Sequence, residues 1–253
     1  LKFSRWRKPY DSPAAEQYSL LPSPGLIKNS HSIFYMSNNL NRPLLFLTAL
    51  RKESEVLQNL IPCTLLTKRS NINQVHVGPP QPCLLETGLG NQKLGPWFGD
   101  LLDKLQPKVI INYGICGLLD AESSLLANYL IKKTCLTDGS SITLPKNELW
   151  NMLSGKPGYT TGNLLTVDKP VLKAAEQTSL FNLYKCPVVD MEGYFLAEIA
   201  ESHQIPILIC KCASDYADET AIDTVNRTVT LWQDRLRQCL IDILNFFKMN
   251  RGR

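Results

Sequence analysis

Short, continuously apolar runs alternate along most of this chain with segments of helical period, and that alternation restricts the fold more than any other feature. Leu44-Leu45-Phe46-Leu47, Pro82 to Glu86 and Val109-Ile110-Ile111 are such runs, followed by Leu164 to Val167, Val188-Val189 and Pro206 to Cys212. An unbroken apolar run marks a strand buried on both faces, where alternation would mark a half-exposed one. Asn128 to Ile131 reads as a further strand, followed by a polar loop at Thr137 to Ser141. Between the runs, Glu53 to Leu60 and Tyr194 to Ser202 read as helices. Pro96 can open another, because the first helical N–H has no partner to lose. Trp97, Phe98, Leu101, Leu102 and Leu105 give that helix one apolar face, and Leu236, Leu240, Ile243, Leu244 and Phe247 form a similar stripe near the C-terminus. Strands alternating with helices predict an α/β fold, a three-layer α/β/α arrangement around a twisted, mostly parallel central sheet.

Residues 1–41 read differently. They carry Pro9, Pro13, Pro22, Pro24 and several serines without a sustained period, so an irregular N-terminal extension is expected there, with the α/β domain over 42–253. At 253 residues, 44% hydrophobic and 20% charged, the chain can bury one sizeable core. Its net charge of +4 is mild, and the one basic cluster, Lys2, Arg5, Arg7 and Lys8, reads as a solvated tail. No basic stripe with interleaved aromatics suggests a nucleic-acid partner. No run of about 18 apolar residues suggests a membrane span, and the N-terminus lacks a signal peptide's apolar core. The eight cysteines include Cys116, Cys210, Cys212 and Cys239 in apolar surroundings, the pattern of free thiols in a reducing compartment, so a cytoplasmic protein is expected. With no CxxC pair and with His31, His76 and His203 scattered, neither a metal site nor a cofactor is expected.

In sheets of this kind, ligands bind beyond the carboxyl ends of the strands. Three carboxylates follow apolar runs directly or within a few residues: Glu53, Glu192 and Asp215. Any one of them alone is more simply a helix cap or a solvated turn residue. Thr87-Gly88-Leu89-Gly90 has neither a Walker lysine nor the full GxGxxG pattern, so a tight turn is its simplest reading. Gly88 and Gly117 also suit close approach of the backbone to a ligand.

The combination is more specific. Val189-Asp190-Met191-Glu192-Gly193, followed by Ala213-Ser214-Asp215-Tyr216-Ala217-Asp218, resembles the nucleoside phosphorylase/nucleosidase superfamily. Within it the resemblance is strongest to methylthioadenosine/S-adenosylhomocysteine nucleosidases and futalosine hydrolases. Thr48 to Glu53 looks like the family's first strand and its water-handling glutamate; Thr87 to Gly90 and Asn112 to Gly117 look like its second and third loops. The resemblance implies cleavage of a purine nucleoside's N-glycosidic bond through an oxocarbenium-like state. Such a reaction needs a proton for the leaving base, a positioned nucleophile and contacts to the sugar hydroxyls. Carried over, Asp215 with help from Ser214 would protonate the purine at N7. Glu192 would hold the ribose hydroxyls, with Met191 packed beneath the sugar. Glu53 would orient and deprotonate water, with Glu55 its competitor. Thr87 and Gly88 would line the sugar side, and Leu165 and Thr166 the base. The resemblance also implies a homodimer.

Departures from the family pattern narrow the reaction. Phosphorylases of the superfamily hold phosphate with arginines near the first strand and after the glycine turn. Here Asn91 and Gln92 follow the turn, and Arg51 stands one position away from where phosphate needs it, which favours hydrolysis. The segment from Asp120 to Asn163 is shorter than in methylthioadenosine nucleosidases and lacks their aromatic loop. It resembles futalosine-type hydrolases, whereas Ala213 to Asp218 resembles the adenine-releasing enzymes. A phosphorylase and a non-catalytic nucleoside-binding module remain the alternatives.

Overall fold

The computed structural model describes residues 42–66, 82–88, 90 and 95–249. The expected N-terminal extension over 1–41 lies outside the described residues, as do Leu89, Asn91 and Gln92. The elements run β1 (Leu44–Thr48), α1 (Arg51–Gln58), β2 (Thr64–Leu66), β3 (Cys83–Glu86), α2 (Gly95–Leu105), β4 (Val109–Leu118) and β5 (Asn128–Leu136). Then follow β6 (Ser141–Thr143), α3 (Glu148–Ser154), β7 (Tyr159–Thr166), α4 (Ala174–Tyr184), β8 (Val188–Asp190), α5 (Gly193–Ser202), β9 (Ile207–Asp215), α6 (Ala221–Arg227) and α7 (Val229–Met249).

Every residue of β1, β8 and β9 is buried, as the unbroken apolar runs require. Helices cover the sheet on both sides. On one, Phe98, Leu101 and Leu102 of α2 pack with Leu196 and Ala200 of α5. On the other, Val56 and Leu57 of α1 and the stripe Leu236, Leu240 and Ile243 of α7 meet Leu208 and Cys210.

The α/β class and the predominance of parallel pairing hold. β1 is parallel to β3 and β4, β2 to β3, β4 to β9, β5 to β7, and β7 to β8. The expected three-layer arrangement around a plain twisted sheet is corrected, because this sheet closes on itself. Its order is β2-β3-β1-β4-β8-β7-β5-β6, and β9 bonds to both β4 and β5, completing a ring β4-β8-β7-β5-β9. Closure depends on strands longer than their apolar runs. β4 continues through the Gly114–Gly117 stretch, which looked like a loop, and its last residues pair antiparallel with β8. Register shifts at Cys116/Gly117 in β4 and at Ile131/Lys133 in β5 bend these strands, as bulges do. Gly117 thereby lies opposite Val189 on one side and Asp215 on the other. Closure brings the turn after β8 beside the end of β9.

Candidate active site

A cavity of about 300 Å³ opens where β1, β4, β8 and β9 end. Glu53, Met191, Glu192, Ser214 and Asp215 all line it. These residues come from α1, from the turn between β8 and α5, and from β9, so only the folded chain assembles them.

Glu53 is the third residue of α1 and is 2% exposed. Its Oε2 accepts hydrogen bonds from the N–H groups of Ala49 (3.0 Å) and Leu50 (2.8 Å), and its Oε1 accepts from Ile115 N–H (2.8 Å). The carboxylate thus ties the start of α1 to β4, and among the described residues one lone-pair position on Oε1 stays open. Burial raises its pKa, against the pull of Lys211 and the three N–H donors. Close approach is possible only because residue 114 is glycine: a Cβ there would stand 2.6 Å from Oε1. Glu55, the alternative water-handling residue, is instead half exposed and paired with Arg51, whose side chain is 83% exposed.

Glu192 is the residue just before α5, its side chain making no capping bond to the helix, and it is buried. Lys211 of β9 is fully buried and donates to Glu192 Oε1 at 2.6 Å, with Asp190 Oδ2 3.0 Å away. Burial alone would lower the Lys211 pKa, but Glu192, Asp190 and Glu53 outweigh it, raise it, and keep the ammonium charged. Three carboxylates share this one cation. Burial, opposed by Lys211 and reinforced by Asp190 and Glu53, therefore holds the Glu192 pKa above the usual carboxylate range.

Asp215 ends β9. Its Oδ2 lies 2.7 Å from Ser214 Oγ, and its Oδ1 accepts from Ala217 N–H at 2.8 Å. Burial raises its pKa, opposed by the Ser214 and Ala217 bonds. Ser214 Oγ also lies 3.2 Å from the Cys116 carbonyl. Its single hydrogen can therefore turn to that carbonyl, leaving the oxygen free to accept from a protonated Asp215.

Thr87, Gly88, Leu165 and Thr166 do not line the cavity as it is formed by the described residues. Thr87 Oγ1 donates to the Thr48 carbonyl (3.0 Å), and Gly88 adopts a φ of 74°, the left-handed turn conformation that favours glycine. Leu165 is core. Thr166 Oγ1 donates to Asp190 Oδ1 (2.8 Å) and accepts from Tyr194 N–H (2.9 Å). Sequence reasoning missed Lys211 and Asp190. The signal for Lys211 was present: a lysine inside an apolar strand must find buried anions or unfold the strand. No Arg, Lys or His side chain lines the cavity among the described residues.

The family model described as Phosphorylase superfamily matches residues 151–245, the part of the chain that supplies Glu192 and Asp215. The chain shares its fold with solved futalosine hydrolase and 5′-methylthioadenosine/S-adenosylhomocysteine nucleosidase structures. Among solved structures with this fold, a futalosine hydrolase mutant of Helicobacter pylori superposes with a TM-score of 0.67 at 14% identity, covering 81% of this chain and 99% of that one. A 5′-methylthioadenosine/S-adenosylhomocysteine nucleosidase mutant from the same organism, with 5′-methylthioadenosine in its active site, also superposes at 0.67 and 14% identity, covering 81% and 98%. In sequence, the nucleosidase of that name from Buchnera aphidicola is 27% identical over 226 residues, covering 78% of this chain and 88% of the relative. That of Listeria monocytogenes serotype 4a is 23% identical over 228 residues, covering 78% and 96%.

Proposed function

We propose that this chain hydrolyses the N-glycosidic bond of a purine nucleoside of the methylthioadenosine, S-adenosylhomocysteine or aminofutalosine type, releasing adenine or a related base. The observation that carries the reading is the convergence of three buried carboxylates, from three separate segments, on one cavity in environments that differ. Asp215 donates a proton to N7 of the leaving base, burial raising its pKa in the direction that role needs, and Ser214 orients it. Glu192, with Lys211 against one oxygen, accepts hydrogen bonds from the ribose hydroxyls and steadies the cationic sugar, with Met191 beneath it. Glu53 uses its open Oε1 position to hold the attacking water and take its proton.

Water is favoured over phosphate as the nucleophile. A phosphate dianion would enter a cavity lined by four carboxylates, Glu53, Asp190, Glu192 and Asp215, and no cationic side chain among the described residues lines it. Assembly as a homodimer, residence in the cytoplasm and a separate N-terminal extension over 1–41 belong to the same reading. Eight free thiols suit a reducing compartment.

The test is release of free base from methylthioadenosine, S-adenosylhomocysteine, aminofutalosine, futalosine, adenosine and inosine, with and without phosphate. Equal release without phosphate is expected. Release only with phosphate makes the chain a phosphorylase, and binding without release makes it a nucleoside-binding module.

A further inference from the structure

Asp190 is 7% exposed and lies on the cavity wall, yet nothing in the proposed chemistry requires it to touch substrate. Its carboxylate is nevertheless the most heavily bonded group in the region. Oδ1 accepts from Thr166 Oγ1 (2.8 Å) and Gly193 N–H (3.1 Å), with Glu192 N–H at 3.4 Å. Oδ2 accepts from Gly193 N–H (3.0 Å) and faces Lys211 Nζ at 3.0 Å. These partners belong to β7, to the first turn of α5 and to β9, and two of the contacts lead straight to Glu192. Lys211 bridges Asp190 to the Glu192 carboxylate, while the N–H bonds hold the backbone on which Glu192 is mounted. Space at this turn is tight: a Cβ at residue 193 would stand 2.9 Å from Asp190 Oδ2 and 2.4 Å from Leu164.

We propose that Asp190 is a positioning residue of this site, fixing Glu192 both through Lys211 and through the first turn of α5. The inference rests on the reading of Glu192 as the group that holds the sugar. The physical case is that a carboxylate has to be aimed to accept from two adjacent hydroxyls. A glutamate side chain held at one oxygen by a lysine is only as fixed as that lysine. A lone buried ammonium midway along a strand has rotational freedom about its stem; a second anion on its other side removes it. Thr166 extends the arrangement, since its hydroxyl orients Asp190 Oδ1 while receiving Tyr194 N–H.

Asp190→Asn, Thr166→Val and Thr166→Ser, compared with the unmutated chain, test this by KM, kcat and the pH profile of kcat/KM for base release. Asp190→Asn preserves size and an acceptor for Thr166 but takes the anion from Lys211. KM is expected to rise about tenfold or more. The acid limb of kcat/KM is also expected to move to lower pH. Lys211 of β9, Asp190 of β8 and Glu53 of α1 are the charged groups facing Glu192. Removing one of the two anions leaves Glu192 easier to ionise. A merely structural role would lower the amplitude without moving that limb. Thr166→Val is expected to raise KM, and Thr166→Ser to restore it.

A folded Asp190→Asn protein with unchanged KM and an unmoved acid limb overturns the proposal, as does a fall in kcat alone. Should Asp190→Asn fail to show a cooperative melt, the Thr166 pair decides: equal KM in Val and Ser overturns it. If the unmutated chain releases no base, the hydrolase reading fails on its own. Calorimetric titration of adenosine into the same proteins then tests the positioning role, and an unchanged Kd, or no binding to any of them, overturns it.

Discussion

At the scale of single residues, the candidate site separates three carboxylates by environment. Asp215 is buried beside a hydroxyl and one N–H, Glu192 lies against a lysine, and Glu53 is held by three N–H groups. Such separation lets identical functional groups take different parts in one reaction. Asp215→Asn is the cleanest test, because an amide keeps an oxygen for Ala217 N–H and can donate to Ser214. Turnover is expected to fall by about 10²–10⁴, the usual contribution of a general acid, with the melting transition retained. Retention of more than a tenth of the activity removes Asp215 from that role. Lys211→Met should act on stability instead. It leaves Glu192 and Asp190 buried without their cation, at about 3–5 kcal/mol, measurable as a lower urea midpoint. An unchanged midpoint would mean that the carboxylates find other partners. Glu53, Glu192 and Asp215 were singled out in the sequence by their motif context rather than by following apolar runs alone, since Asp190 follows Val188-Val189 and was missed. Lys211 was not singled out, because a reading that classes Ile207 to Cys212 by its majority smooths over one charged position.

At the scale of elements, long strands deliver the site. Apolar runs announced the cores of β1, β4, β8 and β9, but not how far β4 continues past its glycines. A Gly-Ile-Cys-Gly stretch looks like a turn until its neighbours are known. In the fold, a Cβ at residue 114 would stand 2.6 Å from Glu53 Oε1, and one at residue 117 would be crowded by Ala217 Cβ at 3.0 Å and Asp215 Oδ1 at 3.1 Å. Gly114→Ala is therefore expected to displace Glu53 from Ile115 N–H and cut kcat by about tenfold or more, since one misplaced group can cost 10²-fold. Wild-type kcat in that variant would show that Glu53 tolerates movement and does not hold the water. The helices α4 and α6 escaped the sequence for a related reason. Among their described residues α4 fully buries only Gln177 and α6 only Ala221, and the apolar face of α4, Leu180, Phe181 and Tyr184, is only partly buried, so neither announces itself by a strong stripe. The double pairing of β9 was equally hidden, since a strand buried on both faces looks the same with one long partner or two.

At the scale of the whole molecule, the site is a burden on stability whose size depends on pH. Glu53, Glu192 and Asp215 all have pKa values raised, chiefly by burial. A carboxyl that ionises later in the folded chain than in the unfolded one holds an extra proton in the folded state between the two pKa values. Stability then falls as pH rises through that window. Below the unfolded carboxylate range, near pH 4, both states are protonated and the penalty is absent. Above the folded values it is complete. The direction is opposite to that of salt-bridged surface carboxylates, whose lowered pKa values favour the folded state as pH rises. Asp215→Asn isolates one share, because the amide does not titrate. The stability of the unmutated chain relative to this variant, taken from urea melts between pH 4 and 8, should decline with rising pH. The same protonation that stabilises the fold keeps the proposed acid loaded, so turnover should fall on the alkaline side as that proton is lost. A stability difference that stays flat, or that grows with pH, would show that Asp215 ionises as easily folded as unfolded. The proton assigned to the leaving base would then have to come from elsewhere.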